Sequence, residues 1–369
     1  MAAIDKLFKR LVEDGGSDLH LQEGRPPRYR IHGSVKDISG EPVLDKEAIF
    51  EMLKEICPND LWEKFTLIGA DGGGDADFAY SMDEASRFRC NFLKQHTGMG
   101  AVFRLIPTKI MTLEQLGIPP VVKKFANIRA GLVLVTGPTG SGKSTTLAAL
   151  IDYINTNYNK HIITIEEPIE FVHPSKQCII TQREVPEDAA SFADGLRASL
   201  REDAEIVLVG EMRDLETISL ALTAAETGML VFGTLHTNNA RKTIDRIIDV
   251  FPATQQSQVR TMLSSSIKGV VAQLLMKRCD KPGRIAVNEI LFANPAVSAI
   301  IREGATQKLT DVIISGKEEG MQFMDDAIWD CLIKGIVSPE EAYMKAIDKT
   351  RFENFLPEES KGLANAGGG

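Results

Sequence analysis

The segment LVLVTGPTGSGKSTT, residues 132–146, constrains what this chain can fold into more than any other stretch. Gly137, Gly142, Lys143 and Ser144 satisfy G-x-x-x-x-G-K-[ST] directly after an apolar strand-like run and directly before a helical one. Such a loop suits phosphate because glycines let backbone N–H groups curl around it, the helix N-terminus favours negative charge, a lysine adds a mobile cation and a hydroxyl ligates magnesium. The loop Gly137, Pro138, Thr139, Gly140, Ser141, Gly142, Lys143, Ser144 and Thr145 is therefore the expected site of a nucleotide triphosphate, with Ser144 a ligand of its Mg.

The surroundings extend that unit into an α/β fold. Apolar runs at Leu132 to Thr136, Ile162 to Ile165, Ile206 to Val209 and Leu230 to Thr234 alternate with helical stretches near Lys143 to Tyr158, Ala189 to Leu200 and Leu215 to Glu226. Continuous apolar strands separated by helices predict a mainly parallel sheet covered on both faces. The run AEIVLVGEMRD ends in Gly210-Glu211, a carboxylate at the C-terminal edge of a strand, where it can approach a metal or its water shell. Arg213 and Asp214 read as solvated neighbours.

Upstream the rhythm differs. Ile4, Leu7, Phe8, Leu11 and Val12 share a helical face, without the apolar core of a signal peptide, so the N-terminus reads as that of a mature protein. Strand signals follow at Asp18 to Gln22, Arg28 to His32, Ala76 to Ser81, Arg87 to Lys94 and Ala101 to Ile106, with a helix at Ala48 to Ile56 capped by Asp45. These make a smaller α+β unit over residues 1–110, ended by Pro107. Thr112 and Gln115 have capping-box spacing for a short connecting helix. Residues 111–355 form the larger unit, closing in helices near Asp325 to Lys334 and after Ser338, and 356–369 read as a flexible tail.

Composition removes several classes of function. With 42 basic and 51 acidic residues the chain is acidic, and neither part is a basic module: 15 against 18 up to residue 110, and 27 against 33 beyond. No specific nucleic-acid binding is expected. Apolar runs fall short of the roughly 20 residues that span a bilayer. Cys57, Cys90, Cys178, Cys279 and Cys331 are scattered, without a C-x-x-C pair for zinc or redox work, and fit reduced thiols in the cytoplasm.

Four ordered motifs, GPTGSGKST, ITIEEPIEFVH, VLVGEMRD and GTLHTNNA, together with GGSDLH near the N-terminus, resemble the secretion-superfamily ATPases, and specifically the PilT-type motors that retract bacterial type IV pili. The resemblance runs from Gly15 to about Phe355. It implies a RecA-like P-loop ATPase domain preceded by a PAS-like domain, assembled as a cytoplasmic homohexamer. ATP hydrolysis would drive pilus retraction, and so twitching motility, through an inner-membrane platform protein, with an accessory retraction ATPase as a further partner. Glu170 aligns with the acid that polarises the attacking water, ahead of Glu166 and Glu167; Glu211 aligns with the acid beside the metal; His236 aligns with the histidine near the γ-phosphate. Arg89 and Arg104 align with arginines that reach the nucleotide, with Arg87 a weaker third. Asp18 and His20, two apart on one strand face, suggest domain or subunit contacts.

Three positions depart from the family pattern. Glu167 stands where Asp is usual, Met229 stands where an additional histidine is common, and AVSAIIRE over Ala296 to Glu303 keeps only the ends of a retraction signature, with Val297, Ile300 and Ile301 on one apolar face. Met229 is expected to remove a polar coupling contact. The alternatives are a pilus-assembly or type II secretion ATPase, whose relatives commonly carry a longer N-terminal region and a tetracysteine element, and a weakly hydrolysing regulatory ring.

Overall fold

The computed structural model describes residues 2–31, 34–67, 74–83, 86–106 and 109–357. By its internal contacts the chain divides into two units, Met1–Lys109 with Pro168–Val172, and Ile110–Glu167 with His173–Gly369. His32, Pro107 and the tail from residue 358 onward lie outside the described residues.

The first unit is an antiparallel sheet with helices. Its strands are β1 (Asp18–Gln22), β2 (Arg28–Ile31), β3 (Ser34–Asp37), β4 (Asp75–Asp83), β5 (Ser86–Gln95) and β6 (Gly98–Ile106), in the order β3-β2-β1-β6-β5-β4. Its helices are α1 (Asp5–Glu13), α2 (Lys46–Ile56) and α3 (Asn59–Thr66). Alternation sends Leu19, Leu21, Phe88, Cys90, Phe92 and Phe103 into one core with Leu7, Phe8 and Leu11 of α1. The Phe8 ring stacks on Phe88 with centroids 3.9 Å apart and meets Phe103 edge-on at 5.1 Å. Val12 lies off this stripe and is exposed. Asp45 caps α2 as expected, accepting from the Ala48 N–H at 2.8 Å.

The second unit holds a seven-stranded sheet. Its strands are β7 (Gly131–Thr136), β8 (His161–Glu166), β9 (Ile179–Glu184), β10 (Ile206–Val209), β11 (Leu230–Leu235), β12 (Ile267–Lys277) and β13 (Arg284–Phe292), in the order β13-β12-β7-β11-β10-β8-β9. All pairings are parallel except β12 with β13. The helices are α4 (Lys143–Asn157), α5 (Phe192–Ser199), α6 (Leu215–Glu226), α7 (Ala240–Asp249), α8 (Ala253–Ser266), α9 (Pro295–Glu303), α10 (Leu309–Ser315), α11 (Met324–Ile333), α12 (Pro339–Lys345) and α13 (Thr350–Glu353). In β7, Leu132 and Leu134 enter one core with α6, α7 and α8 residues, while Val133 and Val135 enter another with Leu147, Leu150 and Ile151 of α4. Burial on both faces is what makes such a strand read as an unbroken apolar run.

Thr112 and Gln115 form a reciprocal box, with Gln115 Oε1 accepting from Thr112 N at 2.9 Å and Thr112 Oγ1 from Gln115 N at 3.3 Å, but the segment makes turns and no α-helix. In α9, Val297, Ile300 and Ile301 are buried, so packing accounts for the middle of AVSAIIRE. Among the described residues no helix is long and apolar enough to cross a membrane.

Candidate functional site

The loop between β7 and α4 has the backbone its glycines permit. Gly137, Gly140 and Gly142 have φ of 148°, 76° and 85°. Gly142 caps α4 without a side-chain hydrogen bond, leaving first-turn N–H groups for an anion. Lys143 Nζ donates to the carbonyls of Gly137 at 2.9 Å and Pro138 at 3.2 Å, so the ammonium lies along the loop. Ser144 is exposed on the first turn of α4 beside Thr145, while Ser141 is buried and its Oγ has no hydrogen-bond partner.

Strand order brings two further groups to the same edge. β11 lies between β7 and β10, and all three run parallel, so their following loops leave from one end of the sheet. Gly137 N donates to Leu235 O at 3.2 Å, tying the loop to the end of β11. Beyond that end, His236 Nε2 lies 2.8 Å from Glu211 Oε1, and Arg213 donates to Glu211 Oε2 at 2.6 Å. Burial alone would raise the Glu211 pKa, but Arg213 and His236 together hold it below the ordinary carboxylate value. Glu211 is thus a held anion about two strand spacings, roughly 9.5 Å, across the sheet from β7.

A nucleotide with magnesium fits this donor set. Among the described residues no three His, Cys, Asp or Glu side chains gather to hold a metal alone. Magnesium commonly takes one or two protein ligands and completes its shell with phosphates and water, which matches the exposed Ser144 hydroxyl and the Glu211 carboxylate.

The other expected residues are distributed between the units. Glu166 ends β8, where its Oε1 accepts from Thr164 at 2.7 Å and Gln182 at 3.3 Å, and Glu167 is exposed beyond it. Glu170, half-buried, belongs to Pro168–Val172, the segment grouped with the first unit. In that unit Arg89 and Arg104 are directly opposite each other on β5 and β6. Arg104 Nε donates to Asp18 at 2.9 Å, and Arg30 Nε lies 3.8 Å from the same carboxylate. One row across the sheet therefore carries Arg30, Asp18, Arg104 and Arg89, three cations with one carboxylate among them. Facing like charges repel, and the Asp18 carboxylate between Arg30 and Arg104 offsets part of that repulsion. Asp18 thus makes an internal ion pair within the first unit.

Two sequence readings need correction, those of Arg213 and Asp214 as solvated neighbours: Arg213 is ion-paired with Glu211. Asp214 is not simply solvated: it caps α6, accepting from Thr217 N at 2.9 Å and from the Thr217 hydroxyl at 2.8 Å. Asp214→Ala is expected to cost about 1 kcal/mol, read by chemical denaturation. Met229 lies away from this edge of the sheet. It precedes the first residue of β11, at the opposite end from His236, and packs against the apolar core.

The sequence reading passed over Gln273 of β12, whose amide donates to Ser141 O at 2.6 Å and accepts from the Thr146 hydroxyl at 2.8 Å and Asn288 Nδ2 at 3.0 Å. Its signal was an amide inside the otherwise apolar VVAQLL.

Residues 1–343 match the family model described as "Type II/IV secretion system protein". The chain is 47% identical to the "Type IV pilus retractation ATPase PilT" of Pseudomonas aeruginosa over 93% of its own length and 98% of the relative's. It is 48% identical to a "Twitching motility protein" of Neisseria gonorrhoeae over 87% of its own length and 84% of the relative's. A crystal structure of the pilus retraction motor PilT with bound ADP superposes with a TM-score of 0.87 at 40% identity, covering 96% of this chain and 99% of the other. With a phosphate loop, a held carboxylate and a histidine at one sheet edge, and a family match over nearly its whole length, the chain belongs to the type II/IV secretion system protein family.

Proposed function

We propose that this chain is an ATP-hydrolysing motor that powers type IV pilus retraction, and with it twitching motility. The observation that carries the proposal is the likeness to PilT at 47% identity over 93% of the chain, joined to a loop built for phosphate. In this reading residues 1–110 form the PAS-like domain, 111–355 the RecA-like ATPase domain and 356–369 a tail. Six copies make a ring at the cytoplasmic face of the inner membrane and act on a platform protein of the pilus machine.

Each residue then has a chemical task. The loop from Gly137 through Pro138 and Thr139 to Gly142 wraps the phosphates of ATP with the N–H groups not bonded within it, Lys143 adds a cation, and Thr145 continues the first turn of the binding helix. Ser144 and Glu211 would hold Mg, directly or through its water shell, and a bound Mg would neutralise phosphate charge. Glu170 orients and polarises the attacking water. His236, hydrogen-bonded to Glu211, lies where loss of a γ-phosphate would alter its surroundings. Arg89 and Arg104 stabilise phosphate charge in the assembled ring.

Purified protein is expected to release phosphate from ATP only with magnesium, and Glu170→Gln to lower kcat by about 100-fold or more, the usual scale for removing a general base. In cells, deletion should abolish retraction events, with wild type but not Glu170→Gln restoring them. Unchanged retraction in the deletion strain sinks the biological assignment, and magnesium-independent phosphate release sinks the enzymatic one.

A further inference from the structure

We infer that Gln273 is a positioning residue of the nucleotide site, a buried amide on β12 that sets the pose of the phosphate loop from beneath. The inference rests on the nucleotide-binding reading and adds to it a residue outside the four motifs. Gln273 is 2% exposed. Burying a primary amide in a central strand is unfavourable unless its polar atoms are bonded, so its presence among Val270, Val271 and Ala272 calls for a use.

The side-chain amide supplies that use at two points, Ser141 and Thr146, and the backbone of the same residue adds a third contact. A Cβ built on Gly137, the first glycine, would come 2.3 Å from the Gln273 carbonyl oxygen, so the loop leaves β7 in direct contact with the β12 backbone. A Cβ on Gly142, the last glycine, would come 3.0 Å from Gln273 Nε2, the atom that donates to Ser141 O. Thr146, in the first turn of α4, donates to Gln273 Oε1. The side chain is itself held from the far side by Asn288, its cross-strand neighbour on β13 and 1% exposed. One amide thus fixes the carbonyl of Ser141 and the first turn of α4 relative to each other, and those are the segments whose N–H groups must converge on phosphate. Orienting donors before the ligand arrives lowers the ordering cost of binding.

A merely structural amide would lower stability without a selective loss of affinity. Asn155, at the far end of α4, is a control of matching chemistry. It is fully buried, donates to Pro174 O at 2.8 Å and accepts from the N–H groups of Lys176 and Cys178 at 3.0 and 3.3 Å. The test measures the Kd of a fluorescent ATP analogue, the KM and kcat of the full-length protein, and its melting temperature. Gln273→Met, close in volume, should raise Kd and KM about tenfold or more with a much smaller change in kcat, while Asn155→Leu lowers the melting temperature without that rise. Thr146→Val, which removes one bond to the amide and keeps the shape, should raise Kd about threefold and decides the matter if Gln273→Met does not fold. Affinities unchanged in the folded Gln273 variant, or unchanged in Thr146→Val when it alone folds, overturn the inference. An equal loss in Asn155→Leu also overturns it. Failure of the wild type to bind ATP overturns the nucleotide-binding reading, and this inference with it.

Discussion

Lys143→Ala is expected to lower kcat/KM for ATP by at least 100-fold while leaving the fold nearly as stable as wild type. Both halves follow from where the lysine is. Its ammonium lies 2.9 and 3.2 Å from the Gly137 and Pro138 carbonyls, at a loop that leads into the first-turn N–H groups of α4, which no side chain caps. A phosphate arriving there would meet those N–H groups and one full positive charge on a side chain long enough to follow it. Removing the charge removes an interaction that grows as negative charge moves onto the transferring phosphoryl oxygens, so kcat should fall as well as affinity. The fold should lose little, because hydrogen bonds at an accessible loop contribute only about 1 kcal/mol each. Steady-state phosphate release and a thermal melt on the same preparation check the two halves. Activity within tenfold of wild type would mean the loop does not serve hydrolysis, and a collapsed melt would mean that the lysine is chiefly a brace.

The parts of this molecule visible in its sequence were those in which local pattern and tertiary role coincide. β7, β10 and β11 are buried at every position and almost wholly apolar because both sheet faces are covered, and such runs need no partner to be recognised. The prediction for α6 reproduced its limits from its helical pattern, although the capping role of Asp214 that starts the helix was missed. β12 escaped notice for the opposite reason. Lys268 and Gln273 interrupt its apolar run, and the use of Gln273 appears only once β12 lies beside β7. Register is equally hidden: that Arg89 faces Arg104, and that Asp18 faces both Arg30 and Arg104, depends on how four strands pair, which alternation alone does not specify. Met229 and His236 show how a motif continuous in sequence is divided in space. Only the strand between them separates the two, yet a parallel strand delivers its two ends to opposite edges of the sheet.

Gly137→Ala is expected to destabilise the protein by about 3 kcal/mol or more, whereas Gly140→Ala in the same loop should cost about 1 kcal/mol. Both glycines have positive φ, so both substitutions carry backbone strain. They differ in what the new methyl group meets. At Gly140 nothing lies within 4 Å of a Cβ, and the cost is conformational alone. At Gly137 the Cβ would be 2.3 Å from the Gln273 carbonyl oxygen and 2.6 Å from Ser141 Oγ. The hydroxyl can turn away, but the carbonyl belongs to a strand paired on both sides, with β7 and β13. Relief must therefore come from the loop, which would lift off β12 and take the Ser141 carbonyl away from the Gln273 amide. Denaturant titration of the two variants gives the comparison directly. Equal costs would show that the loop gives way freely at its first glycine, and that β12 is a neighbour of the phosphate loop rather than its support.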